Sequence, residues 1–286
     1  MAERPHCFLF DNGSVKAAST LSLRRAAARM EALCGAKIQP VSLLHSSGVD
    51  PRDLGGVRAE LLEPAINVWL TENPAGAAVL LPLFFGPSRA LTEYVPERLA
   101  AIHQKHPDGI MVLADPLVDI RSVDTKIATA LADAARKTIA ENELEKPRVL
   151  LVDHGSPLYP VALVRNFLGD QVEKILGDEI AGFGVASMER RPGPDYAFNE
   201  PLLASALSRP PFNRGDVVVL LQFLSPGRHA GPDGDIAEIC GEARRGAPAL
   251  RTFLTDPIAN DERVVETLIQ RYEKAAQRIA RLKAKN

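Results

Sequence analysis

Cysteine is scarce in this 286-residue chain: Cys7, Cys34 and Cys240 stand far apart, and no CxxC pair occurs. That excludes a disulfide framework and a structural zinc cluster. Aromatic residues make up only 5%, with a single tryptophan. Basic excess is also missing, since 34 Lys and Arg face 36 Asp and Glu for a net charge of −2. A dedicated nucleic-acid surface needs positive charge and stacking rings, so no nucleic-acid partner is expected. Long hydrophobic runs are absent too. The longest, around Ala75–Phe85, contains Pro82 and falls far short of the roughly 20 residues that span a bilayer. Asp11 and Asn12 interrupt any apolar signal segment after Met1–Pro5, so the expectation is a cytoplasmic protein with no membrane partner. No Gly-x-Ser-x-Gly elbow, Walker loop or Gly-x-Gly-x-x-Gly turn is present, which removes the usual settings for serine hydrolysis and nucleotide binding.

What is present is an α/β pattern. Hydrophobic residues at 46% and charged residues at 24% are the mixture of a folded globular chain, and the length suits two domains. Cys7–Phe10 reads as a strand and Leu21–Leu33 as a helix. Ala77–Phe85 is a continuous apolar run, as expected of a strand buried on both faces. Leu91–Gln104 and Asp124–Lys137 carry apolar residues at helical spacing. Glu141–Pro147 reads as a charged linker. Beyond it come a strand at Arg148–Val152, a helix at Val161–Leu176 and an apolar strand at Val217–Leu224. Asp261–Lys283 closes the chain as an amphipathic helix with Val264, Leu268, Tyr272, Ala275 and Ile279 along one side. That apolar side can pack within the chain or across a homodimer. Alternating strands and helices imply parallel sheets with helices on both faces.

The order also restarts. Asp11-Asn12-Gly13-Ser14 answers to Asp153-His154-Gly155-Ser156, and Gly86-Pro87-Ser88 to Gly227-Arg228-His229. Asp115-Pro116-Leu117 answers to Asp256-Pro257-Ile258, and Leu62-Glu63-Pro64 to Asn199-Glu200-Pro201. Nearly constant offsets identify two copies of one α/β unit, residues 1–143 and 147–286.

Ligands of open parallel sheets bind beyond the carboxyl ends of the strands. His154 and His229 fall at two such places in the second copy, where the first copy has Asn12 and Ser88. Imidazole takes a proton near neutral pH and ligates borderline divalent metals, whereas Asn and Ser do both poorly. The second copy is therefore the chemically equipped one. His6, His103 and His106 lie near the terminus or at a charged helix end and read as structural; His45, in a Ser-rich loop, reads as structural or as facing a ligand cleft.

These residues resemble a known family. Leu150-Leu151-Val152-Asp153-His154-Gly155-Ser156, Met188-Glu189 with a later Glu200-Pro201, and Phe223-Leu224-Ser225-Pro226-Gly227-Arg228-His229 followed by Asp235-Ile236 look like the motifs of the CbiX-type sirohydrochlorin chelatases. The resemblance spans nearly the whole chain, counting a degenerate N-terminal copy. It implies a chelatase-like fold of two similar lobes, each a parallel sheet flanked by helices, with a cleft between them. It also implies a class II chelatase inserting Co²⁺ or Fe²⁺, with Ni²⁺ a third candidate, into the tetrapyrrole sirohydrochlorin for cobalamin or siroheme synthesis. The metal would be a substrate, and no organic cofactor is implied.

By the same resemblance His154, His229 and Glu189 handle the metal and its chemistry. Glu200 is the alternative acid, because Arg190–Phe198 interrupts the middle motif. Ser156, Arg190 and Arg228 are candidates for binding the substrate's carboxylates, with Arg191 and Arg165 as further cations nearby. Pro157 stands where the family often has Arg. That substitution, with the loss of histidine from the first copy, also admits a non-catalytic tetrapyrrole or metal carrier on the same fold.

Overall fold

The computed structural model describes residues 4–284 and contains two four-stranded sheets, both entirely parallel. In the first, β1 (His6–Asp11) pairs with β2 (Ile38–Ser42) and β3 (Ala77–Pro82), and β3 pairs with β4 (Ile110–Leu113). The helices joining them are α1 (Ala17–Cys34), α2 (Leu62–Glu72) and α3 (Val95–Lys105). After α4 (Lys126–Glu141) the pattern repeats, with β5 (Arg148–Asp153), α5 (Tyr159–Leu176), β6 (Gly182–Ser187) and α6 (Leu203–Leu207). Then follow β7 (Gly215–Leu221), α7 (Asp235–Gly246), β8 (Leu250–Leu254) and α8 (Glu262–Lys283). The strand orders β2-β1-β3-β4 and β6-β5-β7-β8 are the same order twice, so the two sheets share one topology.

The central strands are the ones the apolar runs announce. Every residue of β1 and β3 is buried, as are five of the six in β5. Both faces are covered by helices, so continuous hydrophobicity rather than alternation is the matching pattern. The first core gathers Phe8, Phe10, Leu80, Ile66 and Leu70; the second gathers Leu150, Val152, Val219, Leu203 and Ile236.

One boundary differs from the contiguous halves 1–143 and 147–286. One compact unit runs to Leu117 and resumes at Ala259; the other is Val118–Ile258. Each half's closing helix thus packs in the unit built mainly by the other half. Helix α4 lies against α5 and β7, and α8 against α1, β3 and β4. The apolar side of α8, from Val264 to Ile279, is fully buried there. Arg271 donates to the carbonyls of Pro116 and Leu117, and the Tyr272 hydroxyl donates to that of Pro5. The helix face that left a homodimer open is therefore used inside its own unit. Among the described residues no helix is long and apolar enough to cross a membrane.

The Leu62 and Asn199 tripeptides are not true counterparts. Bridges from Ser42 to Leu61 and from Ser187 to Leu202 set the correspondence here at 141 residues rather than 137. Pro64 lies inside the first turn of α2, whereas Pro201 precedes α6.

Candidate functional site

Strand β5 ends at Asp153, and its pairing with β6 continues for two residues beyond the sheet. Met188 donates its N–H to the Asp153 carbonyl at 2.8 Å and Glu189 to that of His154 at 3.2 Å. This extension holds His154 and Glu189 side by side, with His154 Nε2 3.6 Å from Glu189 Oε1. Gly155 makes the turn at φ +89°, and a Cβ on it would lie 1.9 Å from the Glu189 carbonyl oxygen. Only glycine permits that approach.

His229 reaches the same place from β7. The loop after that strand folds onto the start of α7, where Asp235 and Ile236 donate their N–H groups to the carbonyls of Arg228 and His229. The His229 Nδ1 lies 2.6 Å from Asp235 Oδ2. The two imidazoles meet edge to face, their centroids 4.7 Å apart.

Both rings have the Nδ1 side committed to an oxygen. His154 Nδ1 lies 3.1 Å from the Gly155 carbonyl, and His229 Nδ1 faces the Asp235 carboxylate. In the neutral tautomer that donates from Nδ1 to these oxygens, the Nε2 lone pair is free, the usual arrangement of a metal-ligating histidine with its supporting acceptor. Both His154 and Glu189 are exposed, so a solute can reach them. Among the described residues no group of three His, Cys, Asp or Glu forms a ready-made metal cage. The arrangement is two imidazoles with one carboxylate near the first.

Beneath this surface lies a buried polar layer. The Ser187 hydroxyl donates to Asp153 Oδ1 at 2.5 Å and accepts from Arg165 Nη1 at 2.5 Å. Arg165 also donates to the carbonyls of Phe198 and Asn199 and to the Asn166 side chain. The Asn199 amide braces the loop after His154: Ser156 N–H donates to Asn199 Oδ1, and Asn199 Nδ2 donates to the Ser156 carbonyl, each at 2.9 Å. Burial pushes the Asp153 carboxyl up, against the pull of Ser187 and Arg165. Burial likewise lowers the Arg165 guanidinium despite Asp153. For both partners desolvation outweighs mutual attraction, consistent with a 3.8 Å separation bridged by the serine.

The first unit shows the same backbone without the chemistry. Leu43 and Leu44 donate to the carbonyls of Asp11 and Asn12 as Met188 and Glu189 do to those of Asp153 and His154. Gly13 has φ +86°, and its added Cβ would lie 1.7 Å from the Leu44 carbonyl oxygen. Asn12 thus stands for His154, Leu44 for Glu189 and, by the 141-residue offset, Ser88 for His229.

Asp11 survives there as a buried acid whose pKa is raised to about 6 by desolvation, against hydrogen bonds from Ser42, the Gly13 N–H and Ser19. Its folded pKa exceeds the ordinary 3.8, so the folded state holds the proton more tightly than the unfolded chain. Stability should therefore fall as pH rises from about 4 through 6, by up to about 3 kcal/mol. Asp11→Asn is expected to remove that slope and raise the melting temperature at pH 7.5. Melts of both proteins at pH 5 and 7.5 check this; an Asp11→Asn protein that melts below wild type at pH 7.5 contradicts it.

No family model matches the sequence, and no curated protein is significantly similar to it. Solved structures are similar in fold. SirB, the sirohydrochlorin chelatase of Bacillus subtilis subspecies spizizenii, in complex with cobalt superposes with a TM-score of 0.66 at 13% identity over 96% of each chain. Bacillus subtilis SirB with Fe³⁺ gives 0.65 at 13% identity, again over 96% of each. A multi-domain Deinococcus radiodurans protein described as structurally similar to chelatases gives 0.60 at 16% identity, over 95% of this chain and 55% of that one. The chain has the sirohydrochlorin chelatase fold. Its two parallel α/β units are the lobes that the sequence motifs led one to expect.

Within this chelatase fold the other expected site residues part company. Glu200 does not join the histidines: it pairs with Arg190 at 2.6 Å and accepts from the Leu202 N–H, which lowers its pKa. Arg190 is further tied to the carbonyls of Arg191 and Gly193. The Ser156 hydroxyl accepts from the Leu158 N–H, a turn contact. Arg228 is exposed, 3.6 Å from Asp235, and Arg191 lies over the Tyr196 ring. Arg165 is corrected outright, because at 1% exposure it cannot meet a substrate carboxylate. The sequence reading gives no site role to Asp235 or Asn199. The Asp-Ile pair after His229 is the available signal for the first; nothing in the sequence marks the second.

Proposed function

We propose that this chain is a sirohydrochlorin chelatase, inserting Co²⁺ or Fe²⁺ into the free-base tetrapyrrole, and that His154, His229 and Glu189 carry the reaction. The observation that supports this most is internal. Two copies share one backbone, and in the other copy the three counterparts are Asn12, Leu44 and Ser88. A backbone kept without its donors and a second kept with them separate the requirement of the fold from that of the chemistry.

In this reading the incoming ion is a substrate held by the two Nε2 lone pairs. Imidazole suits cobalt, iron and nickel alike, and two such ligands leave positions open for pyrrole nitrogens. Insertion exchanges one divalent ion for the two inner N–H protons of the macrocycle. Glu189, beside His154 and open to solvent, receives protons as general base. Asp235 keeps the His229 ring oriented so that its free nitrogen faces the ion. Arg228, and Arg190 on release from Glu200, offer planar donor forks to the carboxylate rim of the tetrapyrrole.

An absorbance time course of sirohydrochlorin with Co²⁺, Fe²⁺ and Ni²⁺, with and without protein, tests this. Faster conversion with protein is expected for at least one ion. A shifted spectrum without faster conversion would replace the enzyme by a carrier, and no change of either kind would remove the tetrapyrrole from the account.

A further inference from the structure

We propose that Arg165 is a positioning residue for the metal site. Its guanidinium ties together three segments, two of them leading into a candidate site residue and the third bracing the loop between. Through Ser187 Oγ it reaches Asp153, which precedes His154. Ser187 itself ends β6, two residues before Glu189. Through the carbonyls of Phe198 and Asn199 it holds the segment whose Asn199 side chain braces Ser156.

The duplicated unit shows that the fold does not require this cation. By the 142-residue offset that relates Asp11 to Asp153, Arg165 answers to Leu23, which is equally buried in α1. There the acid and serine remain as Asp11 and Ser42, and the groups holding Asp11 include no cation. The carbonyls of Val57 and Arg58, which answer to those of Phe198 and Asn199, are held instead by Arg24, whose bonds to them are solvent-exposed. One sheet therefore closes over a leucine and the other over an arginine, and the arginine lies under the copy that carries His154 and Glu189. Burying a guanidinium is costly even when paired. A unit that folds without that cost in one copy retains it in the other, where the ends of β5 and β6 and the 198–199 segment must be registered against one another.

This role rests on the metal reading of the site, and the test separates the two. Arg165→Lys keeps the charge but loses the fork that serves Ser187, Phe198 and Asn199 together. Ser187→Ala is a near-isosteric change that removes both hydrogen bonds of the Arg165–Ser187–Asp153 link and leaves those from Arg165 to Phe198 and Asn199. Leu176→Ala, at the far end of the same helix and 1% exposed, is the control for loss of core packing alone. Melting temperature and the apparent Co²⁺ affinity, read from the visible cobalt spectrum, are measured for each. Arg165→Lys and Ser187→Ala are expected to weaken Co²⁺ binding about 10–100-fold, as loss of supporting partners does in metal sites. Leu176→Ala should lower the melting temperature with Co²⁺ affinity within about twofold of wild type. Wild-type Co²⁺ affinity in both Arg165→Lys and Ser187→Ala overturns the role, as does equal weakening in Leu176→Ala. A wild-type protein with no cobalt spectrum overturns the metal reading itself.

Discussion

Replacing His154 with alanine is expected to lower the rate of metal insertion by more than about 100-fold, with little change in melting temperature. It removes one of two imidazole ligands, a larger loss than the roughly 10–100-fold caused by removing a ligand's supporting partner. The side chain is exposed and its backbone partner, the Glu189 N–H, bonds to a carbonyl that alanine retains. Little packing is therefore lost. His229→Ala should act similarly, with a small additional cost because Asp235 loses its 2.6 Å partner. The double variant should be little worse than either single one, since residues that act as a unit are not additive. Asn12→Ala, the same substitution at the matching place in the first unit, should change the rate by less than about threefold. Equal losses from Asn12→Ala and His154→Ala would show that both copies contribute to the chemistry.

The second large effect concerns glycine. Gly155→Ala places a side chain at φ +89° and a Cβ 1.9 Å from a backbone carbonyl that cannot swing aside as a flexible side chain would. Strain of this kind costs on the order of 3 kcal/mol, and the loop must open between His154 and Glu189 to relieve it. The expected result is a melting temperature lowered by several degrees together with a loss of insertion rate beyond about 100-fold, because displacing reacting groups by an ångström has effects of that size. Gly13→Ala meets a nearly identical obstacle, 1.7 Å from the Leu44 carbonyl. It should destabilise to a similar degree while leaving the turnover of the folded protein near wild type. The pair separates stability from chemistry at two copies of one turn. Melting curves and kcat for both variants decide it, and full activity in Gly155→Ala would contradict the geometry of the His154 turn.

How far the sequence reveals this molecule depends on burial. Central strands β1, β3, β5 and β7 are covered on both faces and read as apolar runs. Edge strands β2, β6 and β8 escape notice because their compositions break the pattern, and β4 because its apolar run is only four residues long. Pro40 sits within β2, Gly182 and Gly184 within β6, and Arg251 within β8. The exchange of α4 and α8 between units is likewise invisible, since an amphipathic face specifies that it is covered and not by which sheet. His154 and His229 were legible because strand ends are where such sheets bind ligands. Glu189 was less so, because the 190–198 insertion separates it from Glu200 and only the β5–β6 ladder shows which acid faces the imidazole. Arg165 shows the limit most plainly. In sequence it is one more arginine near a site, and only its burial beneath Ser187 distinguishes a structural tie from a surface cation.

The central claim is that the second unit's imidazole pair passes metal ions to a tetrapyrrole repeatedly. The most direct measurement is the number of equivalents of sirohydrochlorin converted with Co²⁺ when substrate exceeds protein about a hundredfold. The account predicts steady conversion of many equivalents per chain, above the uncatalysed rate and abolished in the His154→Ala/His229→Ala protein. Conversion that stops at one equivalent, proceeds no faster than without protein, or persists undiminished in the double variant would contradict it.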